Sequence, residues 1–114
     1  MALNIAFNYA GRAEIIDAAR ALIAAGVPPQ EIDEERFGEQ LYTAGQPDPD
    51  LIIRTAGEHR VSNFLLWQGA YAEIVVTDTL WPDFGPDNLK AALTEYASRI
   101  RRFGARPVSE VVAS

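Results

Sequence analysis

The segment Leu51-Ile52-Ile53-Arg54-Thr55-Ala56-Gly57-Glu58-His59-Arg60-Val61-Ser62-Asn63 decides the architecture of this 114-residue chain. Its first three residues form an apolar run that predicts a short buried strand, and Gly57 lies in the polar loop that follows. Ser62 and Asn63 are residue types that begin helices, and they predict a helix through Trp67. A strand, a polar loop and a helix in this order indicate an α/β fold with parallel strands.

The flanking sequence continues the same alternation. Leu3–Phe7 predicts a buried strand, and the β-branched run Ile74–Val76 predicts a third one. Apolar residues recur with helical spacing over 12–25, with Ile15, Ile16, Ala19, Leu22 and Ile23 on the predicted buried face. Asp33 predicts the N-cap of a second helix, and a last helix is predicted from Pro86 to about Phe103. The expected fold is therefore α/β, with a thin, partial parallel sheet and flanking helices.

Composition narrows the class of protein. Hydrophobic residues make up 48% of the chain, and it contains no cysteine, which excludes disulfide scaffolds and zinc–thiolate sites. The net charge of −6 argues against nucleic acid as a partner. The sequence shows neither a signal peptide nor an apolar stretch of the roughly 20 residues needed for a transmembrane segment, so a cytoplasmic protein is expected. We expect one domain over residues 1–106 and a flexible tail over 107–114.

The candidate binding residues lie in the loop after the central strand. Arg54, Arg60 and Ser62 supply two guanidinium groups and a hydroxyl beyond the carboxyl end of a strand, where α/β folds bind ligands. Together with the amino end of the predicted helix, these groups suit a phosphate or diphosphate. The alternative is a surface loop whose charges pair with one another. Spacing alone favours neither interpretation.

The carboxylates and the histidine in and near this loop are expected to have different roles. Glu58 is expected to orient the neighbouring arginines, because adjacent positive charge stabilises an ionised carboxylate. His59 is the sole histidine, and a solvated or packed role is expected for it rather than catalysis. Glu73 can bind Mg²⁺ through oxygen, but a second carboxylate must then come from elsewhere. On spacing alone, a solvated glutamate at a strand end is the favoured interpretation of Glu73.

Several motifs, taken in order, resemble those of a known family. Residues 54–68, 70–73, 80–84 and 102–104 together are similar to the signature of cis-prenyltransferases of the undecaprenyl diphosphate synthase type. Residues 3–12 resemble the strand and turn in the middle of that family's chain. The resemblance implies that this chain corresponds to the C-terminal half of such an enzyme.

The resemblance also implies a chemistry. The family condenses isopentenyl diphosphate with an allylic diphosphate, usually farnesyl diphosphate, and makes a cis-polyprenyl diphosphate for cell-wall lipid carriers. It implies Mg²⁺ as cofactor and a homodimer, with Phe64 and Trp67 toward the dimer interface. Arg102 and Gly104 would reach the partner subunit's diphosphate site, and Glu58 would position Arg60. Substrate-binding roles are thus implied for Arg54, Glu58, Arg60, Ser62, Arg102 and Gly104, and a magnesium-binding role for Glu73.

One departure from the family limits the expected activity. The Asp-Gly-Asn-Gly-Arg type motif of the family's N-terminal half, which carries the catalytic aspartate, is absent from this chain. We therefore assign no catalytic residue and expect the isolated chain to be inactive. A truncated enzyme is favoured, ahead of a half that complements a separate N-terminal chain and of a non-catalytic diphosphate-binding or dimer-scaffold subunit. An unrelated phosphate-binding α/β module is the fallback. An exposed strand edge would also make the chain marginally stable or self-associating.

Overall fold

The computed structural model describes residues 1–99 as helices, short 3₁₀ turns and two parallel strands. The elements are α1 (Gly11–Ala24), α2 (Glu34–Gly38), β1 (Leu51–Arg54), β2 (Glu73–Val76) and α3 (Pro86–Ser98), with 3₁₀ turns at Pro29–Glu31 and Trp81–Asp83. The prediction of an α/β fold with a partial parallel sheet is confirmed.

The chain forms two compact units whose sequences interleave. Unit 1 contains Met1–Pro47 and Val61–Trp67. Unit 2 contains Asp48–Arg60 and, among the described residues, 68–99. Unit 1 therefore holds α1 and α2, and unit 2 holds both strands and α3.

The sheet of unit 2 pairs β1 with β2 in parallel. Its register runs from Leu51 beside Glu73 to Arg54 beside Val76. α3 packs against β2, and Val75 and Ala92 are 2% and 4% exposed. The strands predicted at 51–53 and 74–76 are confirmed. Within residues 1–99, however, the sheet has two strands, so the prediction of three is wrong.

The missing third strand is the segment Leu3–Phe7, which is irregular and exposed. Leu3, Ile5 and Phe7 are 84%, 70% and 83% exposed, whereas a buried strand was predicted. A strand requires a neighbour that accepts and donates its backbone hydrogen bonds, and the described residues supply none to this segment. Apolar composition alone therefore does not order it.

Helix α1 agrees with the predicted bounds to within one residue, but its fully buried face shares only Leu22 with the predicted one. It closes with a Schellman motif at Gly26 (φ 70°), where the N–H of Val27 donates to the carbonyl of Leu22 at 3.1 Å. Ile16 and Ile23 of the predicted face are 51% and 76% exposed. The residues actually buried are Gly11, Glu14, Ala18 and Leu22. The buried stripe is rotated because Glu14, a residue of α1 itself, lies on the buried face, where its carboxylate accepts hydrogen bonds from Tyr9 and Tyr42.

Helix α2 follows the predicted cap. The carboxylate of Asp33 accepts a hydrogen bond from the backbone N–H of Arg36 at 2.7 Å, which satisfies one of the free donors of the first turn. Behind it, Leu41 is 5% exposed, and the ring of Phe37 lies 4.5 Å from that of Trp67, centroid to centroid. The apolar edge of this helix thus contributes to the core of unit 1.

The other two helix predictions concern residues 62–67 and the end of the last helix, and the first of them is wrong. The predicted helix from Ser62 to Trp67 does not form, because Ser62, Asn63 and Leu65 have φ values of 51°, 61° and 46°, which a right-handed helix cannot contain. Helix α3 ends at Ser98, where the backbone of Arg99 becomes extended, and its predicted extension over 100–103 lies outside the described residues. The predicted tail at 107–114 lies outside the described residues. Among residues 1–99, no helix has the length and apolar character needed to cross a bilayer.

Candidate functional site

A tight turn follows β1 at the carboxyl end of the sheet. Its central residues, Ala56 and Gly57, have φ values of 62° and 67°, the pattern of a type I′ turn. The N–H of Glu58 closes the turn on the carbonyl of Thr55 at 3.5 Å. Glycine suits the second position for two reasons: it adopts this backbone without strain, and a Cβ there would lie only 2.9 Å from Oδ1 of Asp78.

Backbone hydrogen bonds fasten this turn to the segment that follows β2. The N–H groups of Ala56 and Gly57 donate to the carbonyls of Thr79 and Thr77 at 3.0 and 2.8 Å. In return, the N–H of Thr77 donates to the carbonyl of Arg54 at 2.9 Å. The carboxyl ends of two parallel strands thus meet at one place, where open α/β sheets bind ligands.

Helix α3 supports the same segment from behind. Oδ1 of Asn88 accepts from the N–H of Gly85 at 2.9 Å and thereby caps the helix. The amide nitrogen of Asn88 donates to Oγ1 of Thr79 at 3.2 Å, and the N–H of Thr79 donates to Oγ1 of Thr77 at 3.3 Å. The turn after β1 is therefore anchored, through 77–79, to the first turn of α3.

An ion pair orients the guanidinium of Arg54. Nη2 of Arg54 lies 2.8 Å from Oε2 of Glu58, and the two side chains are 24% and 47% exposed. The pair spans the type I′ turn, so it holds Arg54 at the rim of the turn. The structure thus pairs Glu58 with Arg54, whereas its predicted role toward Arg60 stays a prediction. Arg60 and His59 are exposed.

Ser62 belongs to unit 1, whereas Arg54, Arg60 and Glu73 belong to unit 2. Ser62 is exposed, and it adopts the left-handed conformation together with Asn63. The prediction that Ser62 shares a pocket with the two arginines stays a prediction.

Asn63 has a role that the sequence analysis missed. Its backbone carbonyl accepts from the N–H of Gly11 at 2.7 Å, and its Oδ1 accepts from the N–H of Arg12 at 2.9 Å. Asn63 thus caps α1, 51 positions away in sequence. The sequence does contain the signal, because asparagine is a common helix cap. The signal predicted a helix beginning at 62–63, whereas the helix that Asn63 caps is α1.

Glu73 lies at the opposite end of the sheet from Arg54. It starts β2 beside Leu51, three residues before the level of Arg54, which corresponds to about 10 Å along the strands. Side chains alternate along a strand, so Glu73 and Arg54 belong to opposite faces. Within one chain, the structure does not bring this carboxylate to the turn after β1.

The surroundings of Glu73 do not form a metal site by themselves. Its Oε2 lies 3.4 Å from Nη1 of Arg99, which also donates to the carbonyl of Ile74 at 2.6 Å. In the part of the chain that the structure describes, no three His, Cys, Asp or Glu side chains are grouped as metal ligands. Mg²⁺ prefers several oxygen ligands, so the described residues do not fit this ion without carboxylates from elsewhere. Arg102 and Gly104 lie outside the described residues.

A buried carboxylate organises unit 1. Glu14 is 1% exposed, and it accepts hydrogen bonds from the hydroxyl of Tyr9 and, at 2.8 Å, from the N–H of Tyr42. Burial raises the pKa of Tyr9, and the hydrogen bond to Glu14 raises it further. The hydroxyl of Tyr42 donates to Asp17, and this bond raises the pKa of Tyr42. Sequence patterns did not predict this cluster, although Glu14 lies four residues before the buried Ala18.

Comparison with known proteins identifies the family. The prenyltransferase model described as undecaprenyl diphosphate synthase matches residues 1–104. The chain belongs to this family. Relatives of this chain include the isoprenyl transferase of Heliobacterium mobile, which is 55% identical over 108 residues, or 91% of this chain and 42% of that protein. The isoprenyl transferase of Caulobacter vibrioides is 49% identical over 98% of this chain and 45% of its own length.

Solved structures extend the likeness to the fold of this chain. Lavandulyl diphosphate synthase from Lavandula x intermedia, solved with dimethylallyl diphosphate, has a TM-score of 0.77 and 46% identity, over 84% of this chain and 43% of that one. A "probable undecaprenyl diphosphate synthase" from Campylobacter jejuni has a TM-score of 0.72 and 37% identity, over 86% and 45%. The chain spans less than half the length of each of these relatives.

Proposed function

We propose that this chain is the isopentenyl-diphosphate-binding part of a cis-prenyltransferase that elongates an allylic diphosphate, such as farnesyl diphosphate, to a cis-polyprenyl diphosphate used in cell-wall lipid carriers. The observation that carries the proposal is Arg54, which ends β1 beside a left-handed turn fastened to the segment after β2. This turn belongs to a chain whose family is established. The bound dimethylallyl diphosphate of the lavandulyl diphosphate synthase agrees with diphosphate chemistry.

The proposed ligands are suited to a diphosphate. Arg54 and Arg60 would each donate charge-assisted, bidentate hydrogen bonds to phosphoryl oxygens, and the hydroxyl of Ser62 would add one neutral donor. Glu58 would keep Arg54 in one orientation before the ligand arrives, which lowers the entropy lost on binding. Donors fixed in this way hold isopentenyl diphosphate so that its alkene meets the allylic carbon, and proximity then accelerates the bond formation.

The proposal for the complete enzyme also includes a metal ion, a second subunit and a cytoplasmic location. Mg²⁺ would require carboxylates that the described residues do not supply, with Glu73 as one ligand only after it leaves Arg99. Arg102 and Gly104 would act on the partner subunit's diphosphate site in a homodimer. A cytoplasmic location likewise stays a prediction.

One observation favours a second candidate, a half that complements a separate chain. Leu3, Ile5 and Phe7 are alternate apolar residues, and each is at least 70% exposed. Alternate residues of a strand lie on the same face, so a pairing partner would order this segment and bury the three side chains together. A polypeptide covering the rest of the family's length is the partner that this candidate requires.

Titration with phosphate compounds tests the proposed binding site. The ¹⁵N-labelled chain would be titrated with pyrophosphate and with isopentenyl diphosphate, and the amide shifts of residues 54–63 followed. We expect the Arg54→Gln and Arg60→Gln variants each to weaken binding roughly tenfold or more, because a hydrogen bond to a charged group contributes about 1.5–3 kcal/mol. Arg20→Gln, on the exposed side of α1, is the matched control. Absence of binding, or an equal loss in the control, would refute the site.

Chain elongation distinguishes the two candidates. We expect no product from the isolated chain with farnesyl diphosphate, isopentenyl diphosphate and Mg²⁺. The segment of the Heliobacterium mobile isoprenyl transferase that this chain does not span would then be added as a separate polypeptide. Product from the mixture would favour the complementing half, whereas product from the isolated chain would contradict its expected inactivity.

A further inference from the structure

We infer that Asn63 is the positioning residue of Ser62: it clamps the loop onto the first turn of α1 and so fixes the direction of the Ser62 hydroxyl. The inference rests on the proposed function of Ser62 as a diphosphate ligand. Asn63 itself would not touch the ligand. It would act by holding its neighbour in a conformation that serine does not prefer.

The first argument is the way in which α1 is capped. The N-cap position of α1 is occupied by Ala10, whose side chain accepts no hydrogen bond. Asn63 replaces it with two acceptors, its backbone carbonyl on Gly11 and its Oδ1 on Arg12. The first N–H groups of a helix have no acceptor within the helix, so they require acceptors from another segment, and here Asn63 supplies two of them. A 14-residue helix is thereby the platform on which the loop is fixed.

The second argument is backbone conformation. Ser62 and Asn63 are consecutive residues with positive φ, 51° and 61°. Asparagine tolerates this region, but serine adopts it only where surrounding contacts impose it. The two bonds made by Asn63 are such contacts, because they fix the residue that directly follows Ser62.

The third argument is the close approach of the two segments. A Cβ at Gly11 would lie 2.9 Å from the carbonyl oxygen of Asn63 and 2.9 Å from Cγ of Leu66. Only glycine allows the loop to come this near to the helix. On the other flank, the ring of Phe64 packs edge-on against that of Tyr9 at 5.6 Å. The loop is thus held on both sides of Asn63, so Ser62 has little freedom to reorient.

The test compares variants of the whole chain by NMR. Asn63→Ala removes the side-chain acceptor and disfavours positive φ, whereas Asn63→Asp keeps both properties. Asn4→Ala is the matched control, because Asn4 also loses a side-chain hydrogen bond, in its case to Gln46. Three readouts would be recorded: hydrogen exchange of the Arg12 amide, the ¹³Cα shift of Ser62 as a marker of its conformation, and the dissociation constant for pyrophosphate.

We expect Asn63→Ala to lose protection at Arg12, to shift Ser62 away from the left-handed value and to weaken pyrophosphate binding roughly fivefold, the size of a lost cap. Asn63→Asp should restore the first two readouts, and Asn4→Ala should change none. If Asn63→Ala unfolds unit 1, Asn63→Gly, which tolerates positive φ but lacks the side-chain acceptor, should lose protection at Arg12 and move the Ser62 shift away from the left-handed value.

An unchanged Ser62 shift and unchanged pyrophosphate affinity in Asn63→Ala would overturn the inference and leave the proposed function intact. In contrast, a wild-type chain that binds no pyrophosphate would refute the proposed function, and the inference would fall with it. The two failures are therefore distinguishable in one set of spectra.

Discussion

Replacing Gly57 by alanine tests the left-handed turn that presents Arg54. Alanine at φ 67° costs about 1–2 kcal/mol, because its Cβ crowds the following carbonyl. The new Cβ would also lie 2.9 Å from Oδ1 of Asp78, and rotating that side chain away adds about 0.5–1.5 kcal/mol. We therefore expect Gly57→Ala to lower the free energy of unfolding by about 2 kcal/mol, a decrease in Tm on the order of 10 °C for a domain of this size.

The two contributions separate in a double-mutant cycle. Asp78→Ala removes the close contact, so Gly57→Ala in that background should cost only the conformational part, about 1–2 kcal/mol. Gly45→Ala is a control for conformation alone, since Gly45 has φ 85° and a Cβ added there would meet no atom within 4 Å. Thermal unfolding gives the stabilities, and hydrogen exchange at Ala56 shows whether the turn has opened. A Gly57→Ala chain as stable as the wild type would refute the turn geometry.

Three further predictions concern a close contact and a buried hydrogen bond in unit 1 and the ion pairs of Arg99 in unit 2. Gly11→Ala should lower the free energy of unfolding by about 1–3 kcal/mol, as overpacking against Asn63 does, and thermal unfolding would measure it. Tyr9→Phe should cost about 1–3 kcal/mol at pH 7 by leaving Glu14 with one donor fewer. Because the pKa of Tyr9 is raised in the folded protein, its neutral form stabilises the fold below about pH 10, and this contribution is lost as the pH rises further. The free energy of unfolding of the wild type should therefore fall more steeply above about pH 10 than that of Tyr9→Phe. Urea titrations at several pH values would measure the difference. Arg99→Ala should cost at most about 1 kcal/mol, with the difference shrinking in high salt, because the ion pairs of Arg99 are partly exposed.

The sequence predicted those elements whose signals are local. Asp33 and Gly26 mark helix ends through hydrogen bonds within a few residues, and both act as predicted. The apolar runs at 51–53 and 74–76 lie in the two parallel strands, because each brings the other a partner. Here local propensity and tertiary pairing agree, which makes a prediction reliable.

The failures arose where a distant partner decides the structure. Leu3–Phe7 has the composition of a strand but lacks a neighbour among the described residues. Asn63 was recognised as a cap, yet it caps a helix 51 positions earlier, which no local pattern reveals. The candidate site shows the same division. The sequence placed Arg54 and Glu58 beside one turn, whereas the position of Glu73 at the other end of the sheet depends on strand register.

The interleaving of the two units has a consequence for dissecting the protein. The segment Val61–Trp67 belongs to unit 1 but is flanked on both sides by the sequence of unit 2. No single proteolytic cut can therefore release either unit intact, and a fragment ending at Pro47 would lack the asparagine that caps its own first helix. Expression of either half by itself would therefore test an incomplete unit, and a rearranged chain in which a linker joins Val61–Trp67 directly to Met1–Pro47 is the better tool.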